Sequence, residues 1–229
     1  MRMKWLLTTL IFVGMAALTG AAAQDQAGAP ASGQTPTAAN QRASSGSRIQ
    51  TDVALSGLYA LNSGTSGLGT KQTAGNGVGG LFELRQIAKP LLGYEFAVFY
   101  NQAPQAYEPN PGACGLVCNT PAVSLGGRAV GTSLAYVVSH QFGNLRPFAL
   151  AGVGVFIAVP DSTPLGNNTS IRGAYVYGGG VDWSTKGHLG VRLQCRANLY
   201  KAPNTSSIYP ATGMFTQSIE PAGGIFWRF

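Results

Sequence analysis

Few of the 229 residues carry side chains suited to catalysis, and their spacing limits what they could do. The chain has two histidines, His140 and His188. Ser139 precedes His140, and a Ser–His pair is the core of nucleophilic acyl transfer, but neighbours in an extended strand point to opposite faces. Structural or solvated imidazoles are the simpler reading of both histidines. Cys114 and Cys118 flank Gly115-Leu116-Val117. That spacing predicts a small loop disulfide in an oxidising compartment, and without a nearby His or second Cys pair it makes a poor zinc site. Cys195 reads as a small apolar side chain. The Gly-rich stretches 75–80 and 178–180 lack the Lys-Ser/Thr of a phosphate-cradling loop. We therefore expect no enzyme activity, no cofactor and no metal site.

The remaining chemistry is ionic, and its placement depends on the elements that carry it. Residues 188–200 alternate strictly: Leu189, Val191, Leu193, Cys195, Ala197 and Leu199 on one face, and His188, Gly190, Arg192, Gln194, Arg196, Asn198 and Tyr200 on the other. Period-two alternation predicts a strand with one apolar and one polar face. The same test finds eight runs, near 52–61, 78–85, 93–100, 127–140, 146–157, 174–183, 188–200 and 217–229. The fourth and fifth carry Ala, Gly and Val on both faces, which leaves their facing open. The eighth contains Pro221, whose missing N–H predicts a bulge or a late strand start. Polar faces of the runs hold Asp52, Glu83, Glu95, Asp182 and Glu220 against Arg85, Arg192, Arg196 and Arg228, five acids facing four bases.

Connections 62–77, 101–122, 158–171 and 201–216 are long and polar, whereas 87–92, 141–145 and 184–187 are short. Long and short alternating four to three is the pattern of an even-stranded up-and-down barrel. An Arg facing lipid at mid-depth costs ~2–4 kcal/mol, so the nine charges should face inward and pair with one another. The apolar faces then place Tyr94, Trp183, Trp227 and Phe229 near the short turns and Tyr59, Tyr100 and Tyr175 near the long loops, as two aromatic girdles. A soluble sandwich or lipocalin-like barrel would instead turn its apolar face inward and carry Lys and Glu outside, yet these runs have almost no Lys. The predicted fold is all-β, an eight-stranded antiparallel up-and-down transmembrane β-barrel.

Composition narrows the class further. With 32 Gly, 13 Pro and 23 charged residues, the chain shows neither the Gly periodicity of collagen nor the Glu/Lys heptads of a coiled coil. Residues 1–23 read as a signal peptide: Arg2 and Lys4, an apolar stretch from Trp5, then Ala21-Ala22-Ala23. Cleavage there leaves thirteen basic and eight acidic residues, scattered singly, so no nucleic-acid partner is expected. Residues 24–47 are Ala, Gly, Ser, Thr, Pro and Gln with almost no large apolar side chain, a flexible low-complexity extension. The barrel is assigned to 48–229.

Three motifs in order add a family likeness. They are Pro147-Phe148-Ala149-Leu150-Ala151-Gly152-Val153-Gly154, then Gly178-Gly179-Gly180-Val181-Asp182-Trp183 followed by Arg192 and Arg196, and the terminal Gly224-Ile225-Phe226-Trp227-Arg228-Phe229. Over about residues 48–229 the chain resembles the OmpA/OmpX-like eight-stranded outer-membrane β-barrel family, barrel domain only. The resemblance implies a Gram-negative-type outer membrane, contact with its lipid and lipopolysaccharide, and Ile225, Trp227 and Phe229 as a terminal signal for the barrel-assembly machinery. The function expected is non-enzymatic: envelope integrity and surface interaction through four extracellular loops around an ion-paired, largely plugged interior. A narrow porin-like channel for ions or small solutes, and an enzyme acting on outer-leaflet lipid, are the alternatives.

Overall fold

The computed structural model describes residues 49–88, 91–102, 104–110, 121–161, 168–185 and 187–229. The segments read as a signal peptide and a low-complexity extension, and Cys114 and Cys118, lie outside the described residues. Twelve strands follow in chain order: β1 (Gln50–Asn62), β2 (Thr65–Gly67), β3 (Thr70–Ala74), β4 (Gly77–Ile87), β5 (Leu92–Gln102), β6 (Gln105–Pro109), β7 (Val123–Leu125), β8 (Gly127–Ser139), β9 (Leu145–Pro160), β10 (Ser170–Ser184), β11 (Leu189–Lys201) and β12 (Phe215–Arg228). β1, β4, β5, β8, β9, β10, β11 and β12 close into a barrel in that order, every neighbour antiparallel. These eight strands coincide with the eight alternating runs.

The barrel is apolar outside and polar inside. Leu134 and Tyr175 on the outer face are more than 60% exposed, while Glu83, Arg85, Asp182 and Arg192 have no exposed surface at all. The facing of the two ambiguous strands is settled by their neighbours. β8 turns Ala129, Ser133, Ala135 and Val137 inward and Leu134, Tyr136 and Val138 outward. β9 turns Arg146, Phe148, Leu150 and Phe156 inward and Val153 and Val155 outward. Between these strands the backbones approach closely at Gly152, where a Cβ would stand 2.8 Å from that of Ala135. The β8–β9 connection is a tight turn in which Phe142 and Leu145 exchange backbone hydrogen bonds and Gly143 takes φ +58°. Only glycine enters that left-handed region without strain.

Pro221 produces neither a bulge nor a late start. β12 runs unbroken from Phe215, and its register with β11 passes through Cys195↔Pro221 without a shift. On the other side the pairing with β1 lapses opposite Glu220 and Pro221 and resumes at Leu61↔Ile219 in the same register. Proline lacks a ladder donor, and here the loss is confined to one side of the strand.

Two of the long connections are not irregular. The first contains β2 and β3 and the second β6 and β7, which join as a four-stranded sheet in the order β2-β3-β6-β7 at the long-loop end of the barrel. Half of its buried side chains are polar, Thr70, Gln72 and Gln105 beside Tyr107, Val123 and Leu125, and its strands are only three to five residues long, so the alternation of apolar residues gave no sign of it.

Candidate functional site

The barrel register sets opposite charges against each other. Asp52 has Arg85 and Arg228 as its cross-strand neighbours, Arg85 has Glu95, Asp182 has Arg146 and Arg192, and Arg196 has Glu220. Because side chains alternate with period two, a slip of one residue in any of these pairings would turn the charges of that strand toward lipid.

At the centre, Arg85 donates to Glu95 Oε2 from Nε (2.9 Å) and Nη2, and to Asp182 Oδ2 from Nη1 (3.2 Å). Arg192 grips Asp182 with two bonds, Nε to Oδ1 (2.7 Å) and Nη2 to Oδ2 (3.0 Å), and brings Nη1 to 3.6 Å from Glu83. This paired geometry is the strong form of the guanidinium–carboxylate contact. Arg196 donates to Glu95 (2.7 Å), Glu83 (3.4 Å) and Ser133 Oγ (2.9 Å), and Gln194 Nε2 donates to Glu83 (2.9 Å). Toward the short turns, Asp52 accepts from Arg228 Nε (3.0 Å) and lies 3.9 Å from Arg146 Nη1. Glu220, directly across from Arg196, accepts from Ser218 Oγ at 3.2 Å. Every barrel strand contributes a member to this network. The guanidiniums also lie over aromatic rings, Arg85 at 3.9 Å from the Phe148 centroid and Arg228 at 5.1 Å from that of Phe226.

All nine sequence-assigned charges, Asp52, Glu83, Arg85, Glu95, Asp182, Arg192, Arg196, Glu220 and Arg228, are in this network. Sequence reasoning missed Arg146, because its strand is apolar on both faces. Arg146 makes the set five carboxylates and five guanidiniums among the described residues. Pairing offsets the large penalty of burying these ions, and Glu220, with no guanidinium within 4 Å among the described residues, is held by Ser218 and Asn198 instead.

Above the charges, toward the long loops, Leu58, Leu81, Phe99, Phe156 and Tyr200 form an apolar layer, with Phe156 stacked on Tyr200 at 4.3 Å. Above that layer the second sheet and segment 202–214 meet through a buried polar cluster. Gln72 Nε2 donates to Gln105 Oε1 (2.9 Å) and to the Pro203 carbonyl (2.8 Å). The Tyr107 hydroxyl donates to Gln105 Oε1 (2.8 Å) and accepts from the Thr205 N–H (3.1 Å). Burial pushes the Tyr107 phenol above its ordinary pKa, against the smaller opposing effect of its bonds with Thr205. A cavity of about 10 Å³ lies between the layer and this cluster, lined by Gln72, Gln105, Phe156 and Tyr200 among others, with room for a single water.

The remaining assigned residues sit elsewhere. Ser139 is buried and His140 exposed, so the two do not converge, and His140 lies edge-on to Phe142 at 4.5 Å. His188 stacks on Trp227 at 5.7 Å with Nδ1 2.7 Å from the Arg228 carbonyl oxygen. Ile225, Trp227 and Phe229 are exposed on the outer face near the short turns, as are Tyr94 and Trp183; Tyr59, Tyr100 and Tyr175 are exposed toward the long loops. Cys195 is also exposed on the outer face.

No family model and no curated protein matches the chain. Solved structures do. Neisserial surface protein A (NspA) aligns with a TM-score of 0.50 and 14% identity over 79% of this chain and 97% of that one. The outer membrane protein OprG from Pseudomonas aeruginosa aligns with a TM-score of 0.49 and 13% identity over 79% and 95%. Ail, the attachment invasion locus protein of Yersinia pestis, gives 0.46 and 12% over 79% and 97%. At such identity the likeness is one of fold. With its closed ring of eight antiparallel strands, apolar outside and ion-paired within, this chain has the fold of the eight-stranded outer-membrane β-barrels.

Proposed function

We propose that this chain is a non-enzymatic outer-membrane protein that contributes to envelope integrity and meets partners through its four long connections, with a lumen closed to solutes. The observation that supports this reading is the zero exposure of Glu83, Arg85, Asp182 and Arg192, each held by an oppositely charged partner beneath an apolar layer. Charges that lined a conducting path would have to meet water along it. Eight strands enclose a space that side chains fill, and here large ones fill it. In this reading residues 1–23 direct export and are removed, residues 24–47 are a spacer, and Ile225, Trp227 and Phe229 are read by the barrel-assembly machinery. Outer-membrane lipid and lipopolysaccharide surround the wall. Cys114 and Cys118 close a disulfide within the second long connection.

The test is single-channel recording of refolded residues 24–229 in a planar bilayer. Silence from protein that has folded and inserted is the expected result. Reproducible current steps would overturn the closed lumen and move the assignment to a narrow channel. Release of acyl chains from outer-leaflet lipid by the same preparation would overturn the non-enzymatic reading.

A further inference from the structure

The outer wall carries a feature that a closed interior does not explain. A groove of about 460 Å³ lies at the long-loop end of β10 and β11, its lining including Val153, Ile171, Gly173, Tyr175, Lys201 and Phe215, with Arg172 as a second cation beside Lys201. Gly173 occupies an outward position between Ile171 and Tyr175, opposite Val155 of β9, and nothing stands within 4 Å of where its Cβ would be. The apolar band is therefore notched at this point.

Lys201 borders the notch. It is the only lysine within a barrel strand among the described residues, and it pairs across strands with Phe215, its Nζ 5.9 Å from that ring. The exposed cations Lys71 and Arg128 have Glu108 at 3.5 Å and Asp161 at 3.8 Å, whereas Lys201 has no carboxylate within 4 Å among the described residues. None is available along the wall, because the five carboxylates of the barrel strands all point inward. Lys201 and Gly173 lie one outward-facing step beyond Leu199 and Tyr175, the latter an exposed tyrosine of the long-loop girdle, so the ammonium stands at headgroup depth with an apolar trough beside it. A soluble polyanion has no use for Val153, Ile171 and Tyr175. A neutral lipid has none for Lys201.

We propose that this groove binds an acylated phosphate lipid of the outer leaflet, one acyl chain lying over Gly173 between Ile171 and Tyr175 and the phosphate meeting Lys201 Nζ. The proposal rests on the reading of the barrel as a membrane protein. Full-chain protein refolded in detergent is offered an equimolar mixture of bis-phosphorylated lipid A and its dephosphorylated counterpart, and retained lipid is counted by native mass spectrometry. Wild type retains the phosphorylated form in preference. Lys201→Glu loses that preference by about fivefold or more, the factor one interfacial cation contributes, and Lys201→Arg keeps it. Gly173→Leu, which has open space to occupy, folds normally and loses both lipids. Equal retention of the two lipids by wild type would overturn the site, as would an unchanged preference in Lys201→Glu or unchanged retention in Gly173→Leu. Flotation with vesicles separates the two levels: a folded chain that does not insert refutes the membrane reading, and an inserted chain without the preference refutes the groove alone.

Discussion

Replacing Arg192 by Met removes a guanidinium with no exposed surface and leaves its partners where they are. Asp182 loses the bonds at 2.7 and 3.0 Å and keeps only the one from Arg85 at 3.2 Å, while Glu83 keeps Gln194 and the longer contact to Arg196. Two charge-assisted hydrogen bonds are worth ~1.5–3 kcal/mol each, or ~3–6 kcal/mol together. Breaking a buried ion pair from one side costs ~3–5 kcal/mol by itself, because the abandoned carboxylate stays buried. Both routes lead to a loss of about 4 kcal/mol, a large part of the ~5–15 kcal/mol that holds a typical domain. The assay is urea unfolding of the vesicle-inserted barrel, followed by the fluorescence of Trp183 and Trp227 on the outer wall. The midpoint should fall with the slope unchanged. Combining Arg192→Met with Asp182→Leu removes both charges and should recover more than half of the loss. A single variant within about 1 kcal/mol of wild type, or a double variant showing the full sum of the two singles, would refute the pairing of these charges in a dry interior.

Other outcomes follow from the same geometry. Tyr107→Phe leaves Gln105 and Thr205 short of a partner and should loosen segment 203–209 by ~1–3 kcal/mol, seen as faster amide exchange there while the barrel midpoint holds. Because burial raises the Tyr107 pKa, the folded second sheet binds its proton longer than the unfolded chain does, so the stability of that sheet is level below about pH 10 and falls above it; exchange measured across that range checks the sign. Gly152→Val would press on Ala135, with a cost of ~1–3 kcal/mol in unfolding, whereas Gly57→Ala on the open outer wall should cost nothing measurable. Alkylation of unreduced, unfolded protein should label Cys195 alone, and labelling of three thiols would remove the Cys114–Cys118 disulfide.

What the sequence made legible was whatever an alternation of apolar and polar residues can encode. β11 is the clearest case, its polar face bearing Arg192, Gln194 and Arg196 and its other face none of these, so the strand, its facing and its charges could all be read together. β9 hid Arg146 because Phe148, Leu150 and Phe156 inside are as apolar as Ala149, Val153 and Val155 outside. Its facing comes from register, through the pairing of Arg146 with Asp182, and register is a property of two strands. The second sheet was illegible for another reason: Gln72 and Gln105 are buried polar residues whose satisfaction depends on Pro203 and Thr205, far along the chain. Pro221 was seen, but the consequence of a missing donor depends on which neighbour would have accepted it.

The Asp52–Arg228 contact joins the first barrel strand to the last. Neither ion can make this pairing while the sheet is open, since the two lie 176 positions apart and meet only when β1 reaches β12. A half-inserted, unclosed sheet would hold both at its free edges, facing hydrocarbon. Closure of the ring and burial of Arg228 are thereby coupled: the seam between the first strand and the last is sealed by an ion pair as well as by backbone hydrogen bonds.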